Sequence, residues 1–245
     1  MSIELNLKRL QQTLDPELSF FSSADIASLP PMWQGYLSST DLERLQFLRV
    51  EMRDMADYFP ETARRLAHIA RDVFLAQSPR LGVCRFVTIA LEGETYFRYS
   101  RCPLAYAPAT NDPLVELIRQ RAPDALAYTY FQMMDGLTDP FDFVGFKNSL
   151  ALTTVEAEID TYADLPFFDR VKALGDLNNV VELLASGGGG YLLIDLNRDM
   201  RGDSDPVGFR ISKNASDQWS PDTPVPLFAM LDAWMAVGLG QTGPT

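Results

Sequence analysis

Apolar residues recur at helical spacing through the first third of the chain. Positions 5, 7, 10 and 14 are all leucines, and this spacing predicts a helix over residues 5–14. A second amphipathic run follows the candidate N-cap at Ser39, Thr40 and Asp41 and ends before Pro60, and a third spans residues 61–75. Residues 1–78 are therefore predicted to form a helical layer.

The pattern changes after the Ser78-Pro79 dipeptide. Residues 83–91 and 95–99 are rich in β-branched and aromatic side chains, and the polar Glu-Gly-Glu sequence between them predicts the turn of a β-hairpin. Thr153 and Glu156 have the spacing of a capping box, which predicts the start of a helix. A short helix is predicted to start at residues 22–25 and to end before Pro30, and further short helices are predicted at residues 114–120, 123–134, 153–162 and 167–174.

Three short apolar runs near the C-terminus, at residues 180–185, 191–196 and 207–211, predict three successive strands. Four consecutive glycines at 187–190 connect the first two runs, and we interpret them as a flexible hairpin turn. A phosphate-binding loop would need a lysine and a hydroxyl residue after the glycines, followed by a helix. Here a strand-like run begins at Tyr191 instead.

These elements together predict an α+β fold. An N-terminal helical layer with a β-hairpin is followed by a mixed α+β domain with a mainly antiparallel sheet, which ends in an amphipathic helix at residues 226–237. The predicted organisation is an N-terminal region at 1–104, the α+β domain at 105–240 and a tail at 241–245.

Charge and composition narrow the classes of partner. With 47% hydrophobic residues in 245, the chain can bury a sizeable core without disulfides or metals. Its net charge is −12, and the last 95 residues, with 14 acids and 6 bases, carry two thirds of that excess. Such a field repels nucleic acid and anionic membranes and attracts basic protein surfaces. We therefore expect no nucleic-acid or membrane partner.

The sequence predicts a cytoplasmic protein with reduced thiols. Cys84 and Cys102 are the only cysteines, and we interpret both as structural thiols, although a disulfide between them remains an alternative. The N-terminus is amphipathic and lacks the basic and apolar regions of a signal peptide. No stretch approaches the roughly 20 apolar residues of a membrane span.

The sequence contains no recognisable catalytic constellation. His68 is the only histidine, which argues against histidine-dependent triads and against histidine-rich metal sites. Asp135, Asp139 and Asp142 flank aromatic residues and could form an acidic binding edge, but we interpret them as a turn over the core. We predict a protein that is not an enzyme and needs no cofactor.

The acidic loop at 195–205 has part of a calcium-binding pattern. Asp195, Asn197 and Asp199 have the spacing of the first three ligands of an EF-hand. Met200 and Pro206 stand where that loop needs glycine and glutamate. We therefore predict no metal site and interpret the loop as a charged surface, while a carboxylate- or metal-dependent enzyme remains an alternative.

Residues 105–240 resemble the SUKH superfamily, which includes the yeast Smi/Knr cell-wall regulators and many bacterial immunity proteins. The resemblance implies an α+β fold with a closing helix rich in aromatic residues. The matching elements, in chain order, are residues 125–134 with Asp135-Gly136, residues 149–159, the glycines at 187–190 with the strand 191–195, Gly202, Val207 and the helix 227–234.

The resemblance implies an immunity protein that binds a cognate toxin directly and blocks its active site. The acidic excess suits a toxin with a basic cleft, because complementary charge speeds association. A regulatory or scaffold module of the same family is the alternative. The partner-binding residues that we predict are Asp195, Asp199, Asp203, Asp205, Asp217, Trp219 and Asp222.

Overall fold

The computed structural model describes residues 3–37, 40–91, 93–107, 111–140, 144–160, 168–186, 190–204, 206–212 and 224–239. Within these ranges the chain forms a large antiparallel sheet with helices on both faces. The strands are β1 (Ser19–Phe20), β2 (Ala70–Ser78), β3 (Gly82–Leu91), β4 (Glu94–Arg101), β5 (Asp135–Thr138), β6 (Val144–Phe146), β7 (Thr153–Thr154), β8 (Val180–Ser186), β9 (Gly190–Asp195), β10 (Val207–Ser212) and β11 (Val225–Pro226). The helices are α1 (Ile3–Thr13), α2 (Pro31–Gln34), α3 (Asp41–Met55), α4 (Pro60–Ile69), α5 (Pro113–Arg121), α6 (Asp124–Tyr128), α7 (Phe168–Lys172) and α8 (Leu227–Gly238). None of the helices in these ranges has the length and hydrophobicity that a membrane-spanning helix requires.

The strand order in the sheet follows the order of the chain. Strands β1 to β6 pair in succession, β6 pairs with β8, and β8 to β11 again pair in succession, while β7 pairs with β8. Every pairing between described strands is antiparallel. The predicted α+β class with a mainly antiparallel sheet is therefore confirmed.

The sheet is buried on both faces. Helices α3, α4, α5, α6 and α8 cover one face and contribute to the largest core, which continues through Val87 of β3 and Ile194 of β9. On the opposite face, α1 covers Phe74 and Phe86 at one end of the sheet. Helix α7 and the segment before β8 cover Leu193 at the other end. The molecule therefore has a helical layer on each side of the sheet.

The predicted helix at 61–75 is wrong in its last third. Helix α4 ends at Ile69, and β2 begins at Ala70. Val73 points into the core beneath the large helical layer, whereas Phe74 points into the core beneath α1. A strand that is buried on both faces has a continuous apolar run, which periodicity alone does not distinguish from a buried helix. The helical layer predicted for residues 1–78 therefore also contains strands.

Two other predicted helices differ from the structure. Thr153 lies in β7 instead of capping a helix, and the hydroxyl of Thr154 accepts a hydrogen bond from the Ala157 amide at 3.1 Å. The segment predicted as one helix at 123–134 is α-helical only as far as Tyr128. One π-helical turn then follows before β5. The strands predicted at 180–185, 191–196 and 207–211 are confirmed as β8, β9 and β10.

The predicted boundary between residues 104 and 105 falls between two strands that are hydrogen-bonded to each other. In the pairing of β4 with β5, Tyr99 stands opposite Thr138, and Arg101 stands opposite Asp135. The largest core also contains residues from both sides of this position, such as Leu66 and Leu231. The two predicted regions therefore share one sheet and one core.

Cys84 and Cys102 are both buried, are not joined by a disulfide and lie on opposite faces of the sheet. Cys84 contributes to the core beneath α1, and Cys102 contributes to the core beneath the larger helical layer. Burial, assisted by the nearby Asp135 carboxylate, raises the pKa of the Cys102 thiol to about 12. Because the thiolate is the reactive form, Cys102 is a structural residue.

Candidate functional site

A cavity of about 610 Å³ lies where four segments meet on the larger helical layer. These segments are the α3–α4 connection, α6, the loop before β10 and the first turn of α8. Its lining combines three carboxylates with three aromatic rings, and we call it the acidic–aromatic cleft. The residues of the cleft used below are Asp57, Asp124, Asp203, Tyr58, Tyr128 and Phe228.

The α3–α4 connection presents Asp57 and Tyr58 to the cleft because their neighbour Phe59 is fixed in the core. The amides of Tyr58 and Phe59 both donate to the Met55 carbonyl, at 3.1 and 2.8 Å, which closes a tight turn at the end of α3. Phe59 is fully buried, and Pro60 then begins α4. Asp57 is left exposed and Tyr58 half-buried at the mouth of the cleft.

The aromatic wall of the cleft runs from solvent into the core. The ring centroid of Tyr58 lies 5.8 Å from that of Tyr128 and 6.4 Å from that of Phe228. Phe228 in turn contacts Phe59, with centroids 6.0 Å apart. Tyr128 keeps 47% of its surface exposed, so the outer end of the wall is accessible. Connected rings of this kind restrain one another and form a rigid apolar surface.

The acidic loop is anchored beside the cleft by its backbone. Met200 is buried, and its amide donates to the Arg121 carbonyl at 2.8 Å. The amide of Gly202 donates to a carboxylate oxygen of Asp124 at 3.1 Å, which ties the loop to α6. Asp203 follows directly, so its carboxylate is held at the edge of the cleft.

The cationic side chains of the loop are held by acids of the same loop. Arg201 donates to both carboxylate oxygens of Asp199, with a shortest distance of 2.5 Å, and these hydrogen bonds lower the pKa of Asp199 to about 2. Arg198 approaches Asp203 at 3.7 Å, and its side chain is 59% exposed. An exposed pair at that distance contributes little free energy, so an external cation can displace Arg198.

The structure places the predicted partner-binding residues in different surroundings. Asp195 accepts hydrogen bonds from the backbone and the side-chain amide of Asn197, so it shapes the start of the loop. Asp199 pairs with Arg201, and Asp203 lines the cleft. The other predicted residues, which lie outside the described part of the chain, are Asp205, Asp217, Trp219 and Asp222.

Sequence reasoning missed most of the cleft. Asp57, Tyr58, Asp124 and Tyr128 come from segments that are distant in sequence, and no local motif links them. Phe228 was predicted only as part of an amphipathic helix. Their convergence depends on the packing of α4, α6 and α8, for which the sequence contains no short-range signal.

Two other polar clusters are closed to solvent. Asp135 is fully buried and accepts hydrogen bonds from Arg101 and Ser149, and its burial raises the pKa of the carboxyl group. Asp135 is therefore a structural residue and not part of an exposed acidic edge, and Asp142 lies outside the described residues. The second cluster pairs Glu51 with Arg85 beneath α3, where both side chains are almost fully buried.

The described ranges contain no group of three or more His, Cys, Asp or Glu side chains placed to hold a metal ion. In the calcium-like segment, the Asn197 side-chain oxygen accepts a hydrogen bond from the Asn179 amide at 3.2 Å, Asp195 accepts one from the Asn197 backbone at 3.0 Å, and Asp199 pairs with Arg201. The side chains that would have to converge on a cation therefore make hydrogen bonds to the protein itself.

Comparison of the chain with protein families, with curated proteins and with solved structures finds no match.

Proposed function

We propose that this protein is a cytoplasmic immunity protein that binds a basic toxin and neutralises it by occupying its active site. The observation that carries the proposal is the acidic–aromatic cleft, which is a concave surface with three carboxylates around rigid aromatic rings. Interfaces of this type derive most of their binding energy from a few buried aromatic and charged anchors.

The charge of the whole molecule supports the same proposal. A net charge of −12 attracts a basic partner over a long range and increases the rate of association. Many enzymes that act on nucleic acids have basic clefts, and an acidic inhibitor is complementary to such a cleft. The resemblance of residues 105–240 to the SUKH superfamily adds the expectation that the basic partner is a toxin.

The composition of the lining supports binding rather than catalysis as the role of the cleft. Its lining residues include carboxylates, phenols and a phenyl ring, with neither a histidine nor a cysteine among them. The carboxylates of Asp57 and Asp124 are exposed, so they can exchange water for a cationic partner at low cost. We therefore favour direct protein–protein inhibition over hydrolytic chemistry at this site.

Affinity capture followed by a toxicity assay tests the proposal. The tagged protein is compared with the double variant Asp57→Lys/Asp203→Lys and with the matched control Asp160→Lys/Asp169→Lys, which makes the same charge change. Asp160 and Asp169 are exposed and belong to the segment that covers the opposite face of the sheet. Wild type and control should capture the same partner, and the cleft variant should not.

The captured partner must then be toxic when it is expressed alone. Co-expression with the wild type or with the control variant should restore growth, and co-expression with the cleft variant should not. A partner that is harmless when expressed alone would contradict the immunity function and would favour a regulatory or scaffold module. Equal protection by all three proteins would contradict the assignment of the function to the cleft.

A further inference from the structure

We infer that the acidic–aromatic cleft binds an arginine side chain of the partner. This inference rests on the proposed function, because the arginine is taken to belong to the neutralised toxin. It adds the chemical group that the cleft recognises, a planar guanidinium held between carboxylates and tyrosine rings.

The protein itself shows how a guanidinium is accommodated in this fold. Buried Arg85 pairs with the Glu51 carboxylate, and its guanidinium carbon lies 5.3 Å from the ring centroid of Trp33 and 5.9 Å from that of Tyr36. The Ser100 hydroxyl also accepts a hydrogen bond from Arg85 at 2.8 Å, so a carboxylate, a hydroxyl and two aromatic rings surround this fully buried cation. Arg119 over Phe131, at 4.6 Å, is a second contact between an arginine and an aromatic ring.

The cleft has the same two kinds of group, and the cation beside it, Arg198 at 3.7 Å from Asp203, is exposed and lies at its edge. Tyr58 and Tyr128 supply adjacent rings, and Asp57, Asp124 and Asp203 supply carboxylates. In the described part of the chain, no arginine or lysine lies over the rings of Tyr58, Tyr128 or Phe228. Carboxylates and aromatic rings, the kinds of group that surround Arg85, thus also line the cleft, where a cation from another molecule can enter.

Arginine suits this environment better than lysine. The guanidinium is planar and more weakly hydrated than an ammonium group, so it stacks on a tyrosine face while donating two parallel hydrogen bonds to a carboxylate. A volume of about 610 Å³ is within the usual range for ligand sites, about 300–1,000 Å³. It leaves room for one long side chain together with part of its flanking backbone.

Arg198 acts as a weak internal competitor for Asp203. The 3.7 Å contact places a cation at the edge of the cleft when no partner is present. An incoming arginine would take over the interaction with Asp203, and Arg198 would turn into solvent. Removal of the Arg198 side chain should therefore increase affinity for an arginine ligand. Nonspecific attraction to an acidic protein would also produce this increase. Only binding in the cleft makes the increase depend on an intact Asp203.

A peptide titration tests the inference without the toxin. The probe is a capped five-residue peptide with a central arginine and glycine elsewhere, and matched peptides carry lysine or citrulline at the same position. Citrulline has nearly the shape of arginine but no charge. Binding is followed by NMR chemical-shift changes. The arginine peptide should bind tightest and the citrulline peptide weakest, with shifts confined to Tyr58, Tyr128 and their neighbours.

Single variants then separate the contributions of charge and ring. Tyr128→Leu and Asp203→Asn should each weaken binding by about three- to tenfold, whereas Tyr128→Phe, which keeps the ring, and the distant control Asp169→Asn should change it by less than about twofold. Arg198→Ala should tighten binding, and this gain should disappear when Asp203→Asn is present as well.

The outcomes distinguish this inference from the proposed function. Equal binding of the arginine and citrulline peptides would overturn the arginine inference. The absence of chemical-shift changes at the cleft would overturn it as well, at a peptide concentration of about 20 mM, where a ligand with a millimolar Kd nearly saturates its site. Binding of arginine at the cleft together with a harmless captured partner would overturn only the immunity function. Neutralisation of a toxin that survives removal of its interface arginines would overturn the inference and leave the function intact.

Discussion

At the scale of single residues, Asp232 shows how one side chain can fix the position of a helix far away in sequence. Asp232 lies on α8, and its carboxylate accepts hydrogen bonds from the amides of Glu61 and Thr62 at 2.9 and 2.8 Å. These amides are at the start of α4, where helix geometry leaves them without internal partners. A carboxylate at this end also interacts favourably with the helix dipole.

We predict that Asp232→Ala lowers the free energy of unfolding by about 2–3 kcal/mol, because the buried Thr62 amide and the partly buried Glu61 amide lose their acceptor. Asp232→Asn keeps one oxygen acceptor and should cost about half as much. Chemical denaturation measures both values. Asp169→Ala, at an exposed carboxylate, is the control and should be close to neutral. A loss below about 0.5 kcal/mol for Asp232→Ala would show that water replaces the cap.

At the scale of secondary-structure elements, strand β5 depends on close backbone contact at its second residue. Gly136 has φ +77°, and a Cβ atom added there would lie 2.5 Å from the Asn148 backbone nitrogen. Gly93, in the turn between β3 and β4, has a similar φ of +86° but has nothing within 4 Å of that position. Substitution of Gly93 therefore tests backbone strain alone, whereas substitution of Gly136 tests backbone strain together with steric crowding.

We predict that Gly93→Ala costs about 1 kcal/mol, from its left-handed backbone conformation alone. Gly136→Ala should cost at least about 3 kcal/mol, because the Asn148 backbone must also move and this movement disturbs the pairing of β5. Thermal and denaturant unfolding of the two variants, measured side by side, give the comparison. Equal losses would mean that the segment around Asn148 yields without cost.

At the scale of the whole molecule, the sheet joins the two regions that the sequence suggested. Strand β5 depends on β4 for one of its hydrogen-bonded neighbours, and Asp135 depends on Arg101 for its ion pair at 2.9 Å. Loss of Arg101 would leave a buried carboxylate without its cation, which is strongly destabilising. The helices α3 and α4 also complete the largest core.

We therefore predict that a fragment of residues 105–245 does not fold alone, whereas the full chain unfolds in one cooperative transition. Circular dichroism during urea titration tests both statements. Co-expression of residues 1–104 with residues 105–245 should restore a stable complex, because the shared core can form again. A cooperative transition of the isolated fragment would instead support an independent α+β domain.

Local patterns along the chain predicted the fold class and many of the elements. Leucines at helical spacing predicted α1, Glu-Gly-Glu predicted the hairpin of β3 and β4, and the three apolar runs predicted β8, β9 and β10. These elements were predictable because each has a local pattern of burial or turn chemistry. Strand β2 was not, because burial on both faces removes the alternation that identifies a strand.

The acidic loop was also predictable, because its charge and its position can be read directly from the order of residues in the sequence. Which of its acids face the cleft depends on where α6 and α8 place Tyr128 and Phe228, and this placement becomes visible only in the folded chain. The difference comes from the range of the interactions in sequence. Helix and strand patterns depend on interactions between residues a few positions apart. The cleft depends on packing and on hydrogen bonds between distant segments, and it joins residues 57, 124, 203 and 228.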